Sequence, residues 1–311
     1  MGADFVMLGL VPMTVGVLVS VACALLGNFL VLRRQALIGD AVSHVVLPGI
    51  VLAYIATGTL AAGAMLAGAG AAAVIALVLI EIVRRAGRVE PGAAMGVVFT
   101  ALFAAGVLLL EQTDTRRVHL DVEHALYGNL ESIVWFSAQG WGSLLDPAAL
   151  ADLPPQVPRL FITLLAVIAF VAAFWKELFV GTFDPGFAQS VGARPGLTGF
   201  ALVVMVAVVA VMAFDAVGAI IVVAMFICPA GAARLMTDRL LPQLLWSVAF
   251  AFAGAVAGFT LAAYGPQWLG FASSVSAAGM IATASGAILG LACLFGPRRH
   301  RRGMPTSGGS A

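Results

Sequence analysis

The chain has 311 residues, 62% of them hydrophobic and 10% charged, with a net charge of +1 and a mean hydropathy of +1.07. A soluble domain carries about 25% charged residues, so this chain cannot coat a globule of its size and must turn its outer surface to lipid. Near-neutral charge offers no field for nucleic acid. The first apolar run, residues 5–32, is too long for a signal-peptide core and has no basic segment before it.

A helix needs about 20 apolar residues to cross the hydrocarbon core. Residues 5–32 predict the first span. Residues 37–55 are less regular, because Asp40, His44 and Pro48 interrupt them. Spans at 60–83 and 92–110 follow, and then residues 121–141, which hold Asp121, Glu123, His124 and Glu131, too many charges for a simple lipid-facing helix. The second half predicts spans at 160–175, 197–214, 241–264 and 275–295, with a less regular one at 216–235 around Pro229. The expected fold is an all-α, polytopic transmembrane bundle of eight to ten helical segments, some short or broken. Its glycines and alanines would let helices approach closely.

Basic residues stay on the cytoplasmic side. Arg33/Arg34, Arg84/Arg85/Arg88, Lys176 with Arg194, Arg234/Arg239 and the tail from Arg298 to Arg302 fall on one face if residues 121–141 do not cross. That segment, with the acidic loop around Asp146 and Asp152, then lies outside; Arg116 and Arg117 run against the assignment. The small, polar residues 303–311 read as a disordered end to a basic tail at 298–311.

Asp40 and His44 are four apart and share one face of a helix. A carboxylate with an imidazole suits a first-row divalent ion such as manganese or zinc, and Pro48-Gly49 is placed to break the helix and release backbone carbonyls beside them. Spacing alone leaves open a pair satisfied by hydrogen bonds inside the bundle. His119, Asp121, Glu123 and His124 form a second polar cluster at the outer boundary, with a solvated loop as its plain alternative. Cys23, Cys228 and Cys293 lie in apolar runs and make neither a disulfide framework nor a Cys-x-x-Cys site.

No catalytic residues and no bound cofactor are expected. Lys176 is the only lysine and follows Trp175, so the chain has no G-x-x-x-x-G-K-[ST] phosphate loop and any ATP must be bound by another polypeptide. Neither a G-x-S-x-G nor an H-E-x-x-H sequence is present. Asp184-Pro185 between two spans predicts a short cytoplasmic helix over 184–192, with Asp184 as N-cap, Pro185 in the first turn and Phe187 offered to a partner.

The stretch Leu37-Ile-Gly-Asp-Ala-Val-Ser-His-Val-Val-Leu-Pro-Gly49 resembles the signature of manganese/zinc permeases of bacterial ABC importers. His119-Leu-Asp with Leu126-Tyr-Gly-Asn129 resembles that family's central loop. Phe174-Trp-Lys-Glu-Leu-Phe and Phe183-Asp-Pro-Gly-Phe-Ala-Gln-Ser-Val-Gly192 resemble the segment that meets the ATPase. Val217-Gly-Ala-Ile-Ile-Val-Val-Ala, Pro229-Ala and Ala233-Arg-Leu-Met-Thr-Asp-Arg239 resemble its late helical motif. The resemblance implies one permease domain over residues 1–297, with the ATPase-coupling helix at 183–192 (Asp184, Phe187, Gly192). It implies a multi-pass protein of the bacterial cytoplasmic membrane, paired with a second copy or a sister permease. Two ABC ATPase subunits and a metal-binding solute-binding protein would be the other partners. Asp40 and His44 fall on the family's metal-binding positions, with Asp121 and Glu123 as secondary candidates. The alternatives from the residues are an ion-coupled secondary transporter, which would often show internal repeats, and an ABC permease for a larger metal chelate.

Overall fold

A chain with so few polar side chains must satisfy its peptide groups internally, and helices do so segment by segment. The computed structural model describes residues 5–36, 38–59, 62–112, 130–268, 270 and 275–297. Among these residues there are twelve α-helices and no strand. A π-helical turn, Val6–Leu10, leads into α1 (Val11–Leu32). The others are α2 (Ile38–Thr57), α3 (Ala62–Gly87), α4 (Pro91–Gln112), α5 (Pro147–Ala151), α6 (Gln156–Ala173), α7 (Trp175–Phe183), α8 (Pro185–Ser190), α9 (Pro195–Val217), α10 (Ala219–Met236), α11 (Leu240–Trp268) and α12 (Ala277–Phe295).

Seven described helices are long and apolar enough to cross a membrane, and α2 and α10 contain shorter apolar stretches. With α2 and α10 also crossing, the described helices make nine passes, within the eight to ten segments the sequence predicts. Most ends shift by a few residues, and three differences from the sequence-based expectation have a local cause. The span expected over 160–175 ends at Ala173, because Phe174 leaves helical geometry before α7 begins. The span expected over 216–235 starts at Ala219, because Gly218 takes φ 86° and turns the chain out of α9; a side chain there would be strained. Pro48 does not break its helix: α2 runs continuously from Ile38 to Thr57.

Two contacts define the ends of the bundle. Arg33, capping α1, donates to Thr182 of α7, so both helices finish on one face. At the other end the Trp135 N–H donates to the Met7 carbonyl at 3.0 Å. The short connections then carry Arg84/Arg85/Arg88 and the start of α9 to the Arg33 face. Gly296, just after α12, lies against Leu235 near the end of α10, which puts Arg234, Arg239 and the last described residues there too. Glu131, Asp146 and Asp152 occupy the Trp135 end, where Arg159 at the start of α6 is the one basic residue among those described between α4 and α6. The described part of 121–141, from Leu130 onward, is a 3₁₀ turn and irregular chain rather than a straight helix. Trp135 is buried there and its indole donates to the Ala149 carbonyl at 3.0 Å.

α1 is the axial helix. Buried residues fill 67% of its apolar window, against 22% for those of α4 and α12, so α1 is ringed by protein while they keep broad outer faces. α2, α3 and α4 pack on one another, α10, α11 and α12 form a second group with α1 packed against α10 and α11, and α9 joins the two. Small residues set the closest approaches. A Cβ on Gly27 would collide with the Phe226 carbonyl, and one on Gly49 would lie 2.6 Å from the Gly68 carbonyl. Polar stitching crosses the core as well: buried Asn28 donates to Ser247 (2.6 Å) and accepts from Gln243 (2.9 Å), tying α1 to α11.

Candidate functional site

The α2 helix carries the Asp-His pair. Asp40 is its third residue and His44 follows one turn later, so both stand in the Arg33-side half of the helix. The Asp40 side chain lies outside the described atoms. The His44 ring is half-buried against α4: it stacks on Phe99 with centroids 5.2 Å apart and planes 18° apart, and meets Phe103 edge-on at 5.6 Å and 78°. Two aromatic contacts on different sides hold an imidazole in a defined plane, each contributing about 0.5–1.5 kcal/mol.

Pro48 sits one turn beyond His44. Proline has no N–H, so it removes the amide that an ordinary helix would offer to the carbonyl of His44. The expected release of backbone carbonyls thus becomes one local lesion within a continuous helix. The pyrrolidine is accommodated because Gly106 of α4 leaves room: a Cβ on Gly106 would lie 2.9 Å from Pro48 Cβ. On another side of α2, Gly39 faces the Phe226 ring of α10. The site helix is therefore clasped by α3, α4 and α10 through glycine contacts.

Among the described residues, no group of three or more His, Cys, Asp or Glu side chains is close enough to hold a metal ion. His119, Asp121, Glu123 and His124 lie outside the described residues, as does His300. Cys23 is buried in α1, Cys228 is half-buried in α10 and Cys293 is exposed on α12, so the thiols do not meet.

A second feature lies on the Arg33 face. Asp184 caps α8 as its sequence predicts: its carboxylate accepts from the Phe187 N–H at 2.8 Å, and Pro185 occupies the first turn. The helix closes at Gly192, whose φ is 82°, a left-handed geometry suited to glycine. Phe187 is 55% exposed and Val191 58%, so an apolar knob projects from a segment that ends outside the spans.

Residue spacing did not reveal Phe99 and Phe103, which lie on another helix with no sequence signal linking them to His44. It also read Arg33 only as part of a basic cluster, although burial, which pulls its pKa down, sets it apart from Arg34. Asn28, a lone amide in an apolar run, was a visible signal for the buried network.

The model of the ABC 3 transport family matches residues 8–135 and 153–294. The chain belongs to that family. This permease is 37% identical over 283 residues to the manganese transport system membrane protein MntD of Bacillus subtilis, covering 91% of this chain and 90% of that protein. It is 36% identical over 289 residues to the zinc transport system membrane protein TroD of Treponema pallidum, covering 91% and 73%. Its fold is similar to a chain of PsaBC from Streptococcus pneumoniae, solved in complex with Fab, with a TM-score of 0.71, 23% identity and 93% and 92% coverage. The permease is thus a multi-pass membrane protein, in bacteria of the cytoplasmic membrane, and a transport subunit rather than an enzyme. In such systems ATP hydrolysis belongs to a separate subunit.

Proposed function

We propose that this permease conducts manganese or zinc into the cell, with Asp40 and His44 as transient ligands on the translocation path. The observation that carries the reading is the Asp-His turn of α2 itself, set inside the bundle with the imidazole clamped by Phe99 and Phe103. The names of its relatives, for manganese and for zinc transport, support the same ion class. One carboxylate and one imidazole make an incomplete ligand set. A two-fold pair of permeases would bring two such turns together and supply up to four ligands. An importer benefits from a site that each subunit completes only in part, because the ion must also leave.

Residues 1–297 act as one permease domain in this reading, and the basic stretch 298–311 is an appended tail. Asp121 and Glu123 receive the ion at the outer mouth from a metal-binding solute-binding protein. Asp184, Phe187 and Gly192 present α8 to the ABC ATPase subunits, with the exposed Phe187 ring as the anchor.

Uptake of radioactive manganese and zinc by cells expressing the whole system tests the ligand assignment. Asp40→Asn and His44→Ala should insert and assemble normally yet lose uptake of both ions. Wild-type uptake by a well-assembled double variant would show that the ion passes elsewhere.

A further inference from the structure

Arg33 stands where three parts of the permease meet. It ends α1 and opens the turn into α2, where Arg34 takes φ 58° and the Gln35 N–H returns to the Leu30 carbonyl at 2.8 Å. Its Nε donates to Thr182 Oγ1 at 3.0 Å, and that hydroxyl donates in turn to the Leu178 carbonyl at 2.5 Å. Thr182 lies in the last turn of α7, two residues before the Asp184 cap of α8. The guanidinium fills a cradle of two glycines. A Cβ on Gly199 of α9 would lie 3.0 Å from Nη1, and one on Gly181 of α7 would lie 3.8 Å from Nη2.

The chemistry of this contact differs from that of a structural ion pair. The cation is half-buried and is met by a neutral hydroxyl, while its Nη2 is buried with no acceptor among the described residues. A permanent strut would gain from a carboxylate partner, because burying an incompletely paired cation is costly. A hydroxyl partner is released more easily, and the planar guanidinium keeps further donors for a second arrangement. Gly181 and Gly199 admit the guanidinium between α7 and α9.

We propose that Arg33 is the positioning residue that carries movement of α8 to the α1–α2 turn, and so links ATP hydrolysis to release of the ion at Asp40 and His44. The inference rests on the reading of α8 as the ATPase-coupling helix. Displacement of α8 moves Thr182 directly, Thr182 moves the guanidinium, and Arg33 moves the base of the helix that holds both ligands.

The test uses the complete transporter, permease with its ATPase and binding protein, in proteoliposomes. ATP hydrolysis and radioactive manganese uptake are measured on the same preparation. Arg33→Met removes the donor, Thr182→Val removes the acceptor at nearly constant shape, and Gly199→Ala fills the cradle within a helix that tolerates alanine. All three should co-purify with the ATPase and hydrolyse ATP, while ions moved per ATP fall about fivefold or more, the lower end of a typical coupling between sites. Arg33→Lys should recover part of the ratio. Uptake and hydrolysis falling in parallel, with the ratio unchanged, would make the contact merely structural and overturn the proposal. Phe187→Asp, run alongside, separates the two readings. If it keeps both ATPase association and the normal ratio, the coupling-helix reading fails; if it loses association while the Arg33, Thr182 and Gly199 variants keep the ratio, only the role of Arg33 fails.

Discussion

The imidazole of His44 on α2 lies face to face with the ring of Phe99 on α4, with centroids 5.2 Å apart and planes inclined by 18°. The stack joins the helix that bears the proposed ligands to a helix with no ligand of its own among the described residues, and it fixes the plane in which the ring nitrogens lie. Replacing Phe99 with Leu keeps apolar volume and removes the flat face. Manganese uptake at limiting concentration should then fall roughly two- to tenfold, the rate equivalent of losing about 0.5–1.5 kcal/mol of ring contact. Uptake at the wild-type rate, with normal amounts in the membrane, would show that the stack does not orient the imidazole.

The exposed Phe187 ring and the Asp184 cap make separable contributions to α8. Phe187→Asp should abolish co-purification with the ATPase, because it puts a charge at the centre of an apolar contact. Asp184→Ala should only weaken it, since loss of an N-cap costs about 1 kcal/mol. Pull-down from detergent-solubilised membranes reads both variants, and full retention of the ATPase by Phe187→Asp would exclude α8 as the docking element.

At the α2–α3 crossing, Gly49 and Gly68 touch backbone to backbone. Gly68→Leu must push the two helices apart, an overpacking that typically costs about 1–3 kcal/mol. Gly70, where an added Cβ meets nothing within 4 Å, provides the matched control. Thermal unfolding in detergent, followed by size exclusion, should show a lower Tm for Gly68→Leu and little change for Gly70→Leu. Equal Tm values would mean that this crossing is looser than its geometry requires.

Orientation can be read chemically at Glu131, an exposed residue at the Trp135 end of the bundle. With Cys23, Cys228 and Cys293 replaced, a cysteine at position 131 should react with an impermeant maleimide added outside intact cells. A cysteine at Arg194, on the Arg33 face, should react only after the membrane is opened. The reverse pattern would invert the topology.

Much of this architecture was legible in the chain because its signals are local. Charge poverty and apolar run length predicted the spans, and the distribution of arginine predicted their common face. Asp184-Pro185 announced α8, since capping depends on residues within one turn. Spacing also placed Asp40 and His44 on one helical face. It misjudged Pro48, whose tendency to break a helix is overridden by the room at Gly106, and Phe174 and Gly218, where backbone dihedrals end one helix and begin another inside a continuous apolar run.

The amino-acid sequence by itself determined the class of the molecule and the approximate placing of its apolar spans, and it set Asp40 and His44 one turn apart, because hydropathy, charge and capping act over a few residues. Tertiary structure alone decided what those residues touch. Asn28 meets Gln243 across 215 positions, Arg33 meets Thr182 across 149, and His44 finds its plane between two phenylalanines of another helix. In lipid most outer positions are equally apolar, so hydropathy cannot say which face meets which helix. That choice belongs to shape, to glycines that admit a neighbouring backbone and to polar groups that must find a partner.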